Sequence, residues 1–463
     1  MRMYGEYDVV VAGAGMSGVV AAIAAAREGA RTLLVERTGL VGGLITGGRL
    51  TKPTGIIQPG VYRELVLRTA ARGGAYLDVL KTDWGVYAGV FDPEIMQRVI
   101  LDALDEAGIE VLLDAPVTDV VSDGDRVTGV IVLTKSGPHL VSGAVFVDTT
   151  GDGDVAAQAG ARTMFGDQTG AVQPMTGYLR IVNVDVAALA ADCTAHRDDT
   201  LSLTVPDGAG SRNDDYVLNF HVEGFRQRIE RARSEGFDWI IPRDRFSIRS
   251  GLLPGEVNVN ATRVHGNALD PRERSHALLE IRRQAYCLMD FLVGYVRGFE
   301  RAILFEVAPA LGVRETRRVV GRYVLTGEDV THEARFADAV GLCDAPVDVH
   351  EPGGRDVTMI GVGSGYGIPY RCLLPAGVEG LVVAGRCVSA DPVAFGSLRN
   401  TPACALTGQA AGVAAALAAD AGIIPGALPA EDVQQRLEAA GVVLGTRQED
   451  TTPEWTMSPA MAD

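Results

Sequence analysis

The feature that most limits what this chain can fold into is Gly13-Ala14-Gly15-Met16-Ser17-Gly18, a G-x-G-x-x-G run between a β-branched stretch and an Ala-rich one. Residues 7–12 read as a buried strand, 13–18 as a turn, 19–28 as a helix closed by Gly29, and 31–36 as a second strand. Strand, helix and strand within about thirty residues force a crossover connection. That implies a parallel pair and an α/β fold.

The spacing carries chemistry as well as shape. Gly13 permits the tight turn, Gly15 lets a pyrophosphate lie against the backbone, and Gly18 brings the helix close to the sheet. The helix start offers unpaired N–H groups and about half a unit of positive charge to phosphate. Glu36 ends the second strand eighteen residues past Gly18. A carboxylate there accepts hydrogen bonds from a ribose diol and repels a 2′-phosphate, which disfavours NADP. Each glycine costs a strand–helix unit about 1 kcal/mol against alanine, so three at this spacing, plus the acid, point to a bound dinucleotide.

Gly42-Gly43 and then Thr46-Gly47-Gly48 follow, where an NAD dehydrogenase would continue into another helix. A glycine-rich loop suits a longer cofactor extending over the backbone. Later segments add Val147-Asp148-Thr149-Thr150-Gly151-Asp152-Gly153-Asp154 and Leu311-Gly312-Val313-Arg314-Glu315-Thr316-Arg317-Arg318. They continue with Gly367-Ile368-Pro369-Tyr370-Arg371, Val383-Ala384-Gly385-Arg386-Cys387 and Gly408-Gln409-Ala410-Ala411-Gly412. With these segments in this order, the chain resembles the FAD-dependent oxidoreductase family of the glutathione-reductase-type flavoprotein fold, related to the fumarate reductase flavoproteins.

The resemblance implies a set of cofactor contacts. Gly13, Gly15 and Ser17, within the run that includes Met16 and Gly18, would hold the pyrophosphate. Glu36 would hold the adenosine ribose with Arg37 beside it, and Val117 would meet the adenine through its backbone. Gly42, Gly43 and Thr46 would line the path to the flavin. Gly151 and Asp152 would close the adenosine side, and Gly385 and Arg386 would return the chain to the cofactor. The helix opening around Gly408, Gln409 and Ala410 would aim its N-terminus at the flavin pyrimidine ring, where reduced flavin carries negative charge. One departure matters. The fumarate reductase branch often attaches FAD to a histidine just before the glycine doublet, whereas here Thr38-Gly39-Leu40-Val41 stands there and no histidine precedes His139. The expected FAD is therefore dissociable.

Residues 60–75 and 93–107 read as helices, and 110–113, 117–122, 127–134 and 139–148 as strands, the last three forming an antiparallel meander. From about 165 to 335 the texture changes to charged helices (224–235, 270–300) and short strands (256–262, 316–325). After 360 the first texture returns, with a strand at 381–384 and an Ala/Gly-rich helix at 407–419. The expected fold is α/β: a Rossmann-like FAD-binding domain, parallel sheet plus antiparallel β-meander, with an inserted α+β substrate or cap domain. The FAD-binding domain takes 1–50, 90–165 and 340–425, the cap takes 51–89 and 166–339, and 426–463 form a C-terminal helix and tail, loose from Asp450 onward.

The net charge of −17 repels nucleic acid and anionic membrane, so neither is expected as a partner. Residues 9–26 imitate a signal peptide, but Glu6 and Asp8 stand where positive charge belongs and three glycines interrupt the run. No other segment is expected to span a membrane. Six scattered cysteines without C-x-x-C spacing suggest no metal site and a reducing, cytoplasmic setting.

Hydride transfer needs a base, a clamp for substrate and exclusion of water. His265 ends a segment containing Asn258 and Asn260 and is the candidate base. Tyr366, Tyr370 and Arg371 lie in a glycine-rich stretch suited to acid or carboxylate-clamp roles. Arg49 and Arg399 are candidates to reach flavin or substrate. Arg314, Arg317 and Arg318 read as structural pairing first and as an anion site second. Cys404 reads as a buried inert thiol. The leading reading is a dehydrogenase or oxidase acting on a small molecule and passing electrons to an acceptor that the sequence does not name, with an oligomer possible. The alternatives are a monooxygenase or hydroxylase, disfavoured by the lack of a second G-x-G-x-x-G, and a redox-neutral or structural FAD-binding protein.

Overall fold

In the computed structural model, which describes residues 2–82, 85–205, 211–213, 216–217, 220–352 and 357–445, the opening strand–turn–helix is the hub. β1 (Arg2–Ala12), α1 (Met16–Arg27) and β2 (Thr32–Val35) make the expected crossover. The helix begins at Met16, three residues earlier than expected, with Gly15 at its N-cap. Along β1 the side chains alternate between two cores. Val9 and Val11 join the cluster under α1, while Val10 and Ala12 join the cluster on the opposite face. A parallel strand buried on both faces needs apolar residues at every position, hence the unbroken Val-Val-Val.

β3 (Ala75–Thr82) and β4 (Gly85–Phe91) form a separate hairpin. The main sheet adds β5 (Glu110–Leu112), β6 (Val117–Asp123), β7 (Arg126–Thr134) and β8 (Gly137–Asp148) in the order β5-β2-β1-β8-β7-β6. Along one edge, β8 pairs antiparallel with β7 through residues 137–142 and then parallel with the strand Leu381–Val383 through residues 146–148. One long strand thus joins the predicted meander to the parallel sheet, and its end delivers Thr149 and Thr150 beside Gly13.

The helix expected at 407–419 spans Thr401–Asp420 and lies against α1. By length and composition it could cross a membrane, contrary to expectation, yet 83% of its apolar window is buried within the fold. α2 (Val61–Ala71), expected in the cap, buries Val61, Tyr62, Leu65 and Val66 in the same cluster as α1. α3 (Pro93–Glu106) starts where expected, with the Asp92 carboxylate accepting from the N–H groups of Glu94 and Ile95.

The intervening residues build a six-stranded antiparallel sheet. Its order is Thr200–Thr204, His221–Gly224, Phe246–Ser250, Val257–Asn260, Leu179–Val182 and Ile303–Val307. The helix Pro271–Tyr295 packs Leu288, Phe291 and Leu292 on one face of it. The chain re-enters the first core at the strand Arg317–Val319, where Val319 joins the cluster of Val10 and Phe146, well before the expected residue 340. The helix Ala430–Ala439 buries Val433 and Leu437 in the main core. The expected tail from Asp450 lies outside the described residues.

Candidate active site

The start of α1 opens on a cavity of about 380 Å³. Gly13, Gly15, Met16 and Ser17 line one side, and Gly42 and Gly43 another. Gly15 carries no side-chain cap, so the first N–H groups of α1 have no partner from that position. A Cβ on Gly15 would meet no protein atom within 4 Å, and the buried Ser17 Oγ has no hydrogen-bond partner. This is a cradle for an anionic group that the protein itself does not fill, and it fits the pyrophosphate of a dinucleotide. Glu36 stands at the end of β2, its Oε2 accepting from Ala14 N–H at 2.8 Å and its Oε1 from Thr38.

Beneath the glycines, Asp152 is held by Arg386 at 2.5 Å and by the Thr316 hydroxyl at 2.8 Å, with Arg37 3.8 Å away. Burial alone would raise the pKa of Asp152, but Arg386, Thr316 and Arg37 outweigh it and hold the carboxyl at about 2. That depressed value stabilises the fold above the unfolded pKa of about 3.9, and the stability is lost as pH falls through about 2. Asp152→Asn strands the Arg386 charge. It is expected to cost about 3 kcal/mol at pH 7 and visibly less at pH 3, as measured by chemical denaturation of both proteins.

A second cavity of about 390 Å³ adjoins the first, and both are lined by Leu44, Val313, Arg386, Arg399 and Thr401. Its roof is the free face of the antiparallel sheet. Ser247 and Arg249 on the strand, and Arg243 and Arg245 in the segment just before it, line the cavity, while Phe246 and Ile248 point to the core behind. Glu223 and Asn260 flank Ser247 on the neighbouring strands. Opposite the roof, Arg399 donates to Asp348 Oδ2 at 3.0 Å, and the His350 Nε2 lies 3.3 Å from Asp348 Oδ1. Arg263 is 3.1 Å from His350 Nδ1. A guanidinium only donates, so Nδ1 accepts and the ring proton sits on Nε2. Burial and then Arg314, Arg399, Arg243 and Arg263 push the His350 pKa well down, so the ring is neutral.

The structure brings some predicted residues to these cavities and places others elsewhere. Gly151, Gly385, Arg37, Glu36 and Arg386 line the first, and Arg399 lines both. Gly18 faces inward, where a Cβ would stand 1.8 Å from Gly13 O. Thr46 is buried with its hydroxyl on Val41 O, and Val117 lies on β6 outside the lining. Gly408, Gln409 and Ala410 correct the sequence reading most. The helix opens at Thr401, so it is Thr401 that reaches the cavities, and these three sit two turns deeper. Gly408 touches α1, and Gln409 Oε1 accepts from Val61 N–H at 3.0 Å, serving the start of α2 instead of a cofactor.

Among the catalytic candidates, His265, Tyr366, Tyr370, Arg371 and Arg49 line neither cavity. Tyr366 is fully buried on Ser397 Oγ at 2.7 Å, and Tyr370 donates to Pro425 O. Arg371 pairs with Asp338 on the surface. Arg49 makes a two-pronged bond to Glu306 at 2.8 and 2.9 Å and reaches Glu94, tying the glycine loop to the edge strand of the antiparallel sheet. His265 follows the paired Val264, and burial and Arg263 push its pKa down. Arg317 and Arg318 make the expected structural pairs with Asp154 and Glu315, but Arg314 enters the second cavity. Cys404 lines the first cavity, its thiol donating to backbone carbonyls and pushed up to about 12 by burial, so it stays protonated.

Sequence reasoning missed Lys52, Arg243, Arg245, Arg249, Asp348 and His350. A signal existed for two of them: Arg245, Ser247 and Arg249 stand at alternate positions with apolar Phe246 and Ile248 between, the mark of a strand with one polar face, while Arg243 lies outside that pattern. Lys52, Asp348 and His350 carry no such pattern.

The chain is similar to known proteins. The family model described as FAD dependent oxidoreductase matches residues 8–437. A thiamine thiazole synthase of Methanococcus maripaludis is 28% identical over 165 residues, which cover 34% of this chain and 60% of that protein. Digeranylgeranylglycerophospholipid reductase 1 of Methanococcoides burtonii is 25% identical over 157 residues, covering 32% of this chain and 38% of the relative. The match thus spans 60% or less of the length of either relative. In fold, the chain is similar to Aquifex aeolicus GidA, at 17% identity and a TM-score of 0.50, with 90% of this chain and 64% of that one covered.

Proposed function

From the premise that this chain belongs to the FAD-dependent oxidoreductase family, we propose that it transfers hydride between a small organic substrate in the second cavity and non-covalently bound FAD in the first. The observation that carries this reading is the wall the two cavities share. Leu44, Val313, Arg386, Arg399 and Thr401 border both, so a substrate in one stands against a cofactor in the other.

Bound FAD supplies the hydride acceptor or donor. The protein supplies placement. The N–H groups at the start of α1, the Ser17 hydroxyl and the bare backbone at Gly15 receive the pyrophosphate. Glu36, whose carboxylate accepts from Ala14 and Thr38 N–H groups, would hold the ribose diol. Arg386 is fixed by Asp152 beside the phosphates. Thr401, at the N-terminus of a helix twenty residues long, stands at the shared wall, where its dipole favours negative charge on the flavin. The antiparallel sheet roofs the substrate and keeps water out. No histidine stands before Gly42-Gly43, which supports dissociable FAD.

The absorption spectrum of the purified protein tests this directly. A two-band flavin spectrum is expected, passing into the filtrate after denaturation, and the bound flavin is expected to bleach anaerobically with an organic donor. Flavin that stays with the denatured chain, or that no donor or dithionite-coupled acceptor oxidises or reduces in turnover, would remove the proposal.

A further inference from the structure

The second cavity holds buried guanidinium charge that its own carboxylates do not answer, and we infer that its substrate is an organic anion, a carboxylate or phosphate gripped by Arg314 and Arg243 with Arg399 behind them. This rests on the proposal that the second cavity takes the substrate.

Arg314 is 9% exposed and donates to Pro174 O at 2.7 Å. Among the described residues, no carboxylate lies within salt-bridge distance of it. Arg243 is 5% exposed, its Nε has no hydrogen-bond partner, and its nearest acid, Glu223, is 3.9 Å away and also faces Arg245. Arg399 is committed to Asp348 through one nitrogen, while its Nε is buried and unpartnered. His350 adds neither charge nor a spare acceptor, because its ring is neutral, Arg263 occupies Nδ1 and the ring proton sits on Nε2.

Arg318 gives the contrast in charge: it is 2% exposed and its Nε also lacks a partner, but it pairs with the carboxylate of Glu315 and donates to Gly166 O at 2.7 Å, whereas among the described residues Arg314 meets no such carboxylate. A buried cation without a counter-charge costs several kcal/mol, and the burial-driven fall in the pKa values of Arg314 and Arg243 reflects that cost. An anionic ligand removes it. A net charge of −17 makes the cluster a local construction and not a by-product of basic composition. Two donors forked around one site suit the planar oxygens of a carboxylate or the oxygens of a phosphate. A cationic amine would be repelled.

The test uses the full chain loaded with FAD, at pH 7 and low ionic strength. Succinate, citrate and inorganic phosphate are titrated against the neutral probe succinamide, reading the flavin difference spectrum and the thermal midpoint. A saturable response to carboxylate or phosphate, with none to succinamide, is expected, and the arm that binds tighter identifies the group. Arg314→Gln and Arg243→Gln should each weaken binding by about 10- to 100-fold. Arg314→Lys should recover part of the loss, which keeps the test valid if one glutamine variant does not fold. Neither residue lines the first cavity, so FAD content should hold. An equal response to succinamide, no response at all, or full anion affinity in both glutamine variants overturns the inference. Because binding is read without turnover, anions that bind while no donor bleaches the flavin would defeat the hydride-transfer reading and leave the anion site standing.

Discussion

Replacing Gly15 by leucine is expected to leave the apoprotein folded while weakening FAD binding by at least about 100-fold, the loss of one or two charged hydrogen bonds. Gly15 has φ −64°, a conformation any residue adopts, and a Cβ there meets no protein atom within 4 Å. The stability cost is expected to stay near 1 kcal/mol, the usual effect of a poor N-cap. The protein therefore does not need this glycine; the pyrophosphate does. Gly13→Ala is the contrast. Gly13 has φ +97°, and its Cβ would stand 2.6 Å from Thr149 O, so that variant loses the fold and the cofactor together. Fluorescence titration with FAD beside thermal melting separates the two outcomes. A Gly15→Leu protein that binds FAD as tightly as the parent would mean that the phosphates do not cross this backbone.

The second large effect tests the corrected role of the glycines in the Thr401–Asp420 helix. Gly412→Val is expected to destabilise the protein by about 3 kcal/mol or more through overpacking. A Cβ at this position would lie 2.1 Å from Ala21 O, so α1 and its neighbour must separate. Position 412 is one turn beyond Gly408, which touches Ser17 in the same way. Choosing the farther glycine keeps the direct damage away from the cofactor cradle. Denaturant unfolding of the apoprotein reads the effect. An apoprotein as stable as the parent, with a defect confined to FAD affinity, would restore the reading in which this segment serves the cofactor alone.

The difference between Gly15 and Gly412 shows how far sequence reasoning reaches. A G-x-G-x-x-G run between strand and helix has a local meaning, because the turn, the helix start and the acid at the next strand's end are set within about thirty residues. Glycines at 408 and 412 carry no such meaning alone. Four-residue spacing places both on one helix face, but whether that face meets a flavin or another helix depends on a partner nearly four hundred residues away. Tyr366 and Tyr370 mislead for the same reason. Both have side chains able to do acid–base work, and both are sealed into the core by Ser397 and Pro425.

By itself, the sequence determined the parallel sheet, the glycine turn at the start of α1 with Glu36 near it, the β-meander and the existence of an intervening unit, since each rests on short-range periodicity or on a turn that few residues can make. It also held Arg245, Ser247 and Arg249, polar at alternate positions around apolar Phe246 and Ile248, readable as one polar face. Only the tertiary structure decided that this face covers a cavity adjoining the one at the start of α1, that Arg314, Arg399 and Arg243 line it together with a neutral His350, and that Arg49 ties a loop to a sheet edge. Those placements depend on contacts between segments far apart in sequence, 51 residues for Arg399 and Asp348 and 257 for Arg49 and Glu306. Their energies come from burial and charge pairing, and no local pattern encodes either.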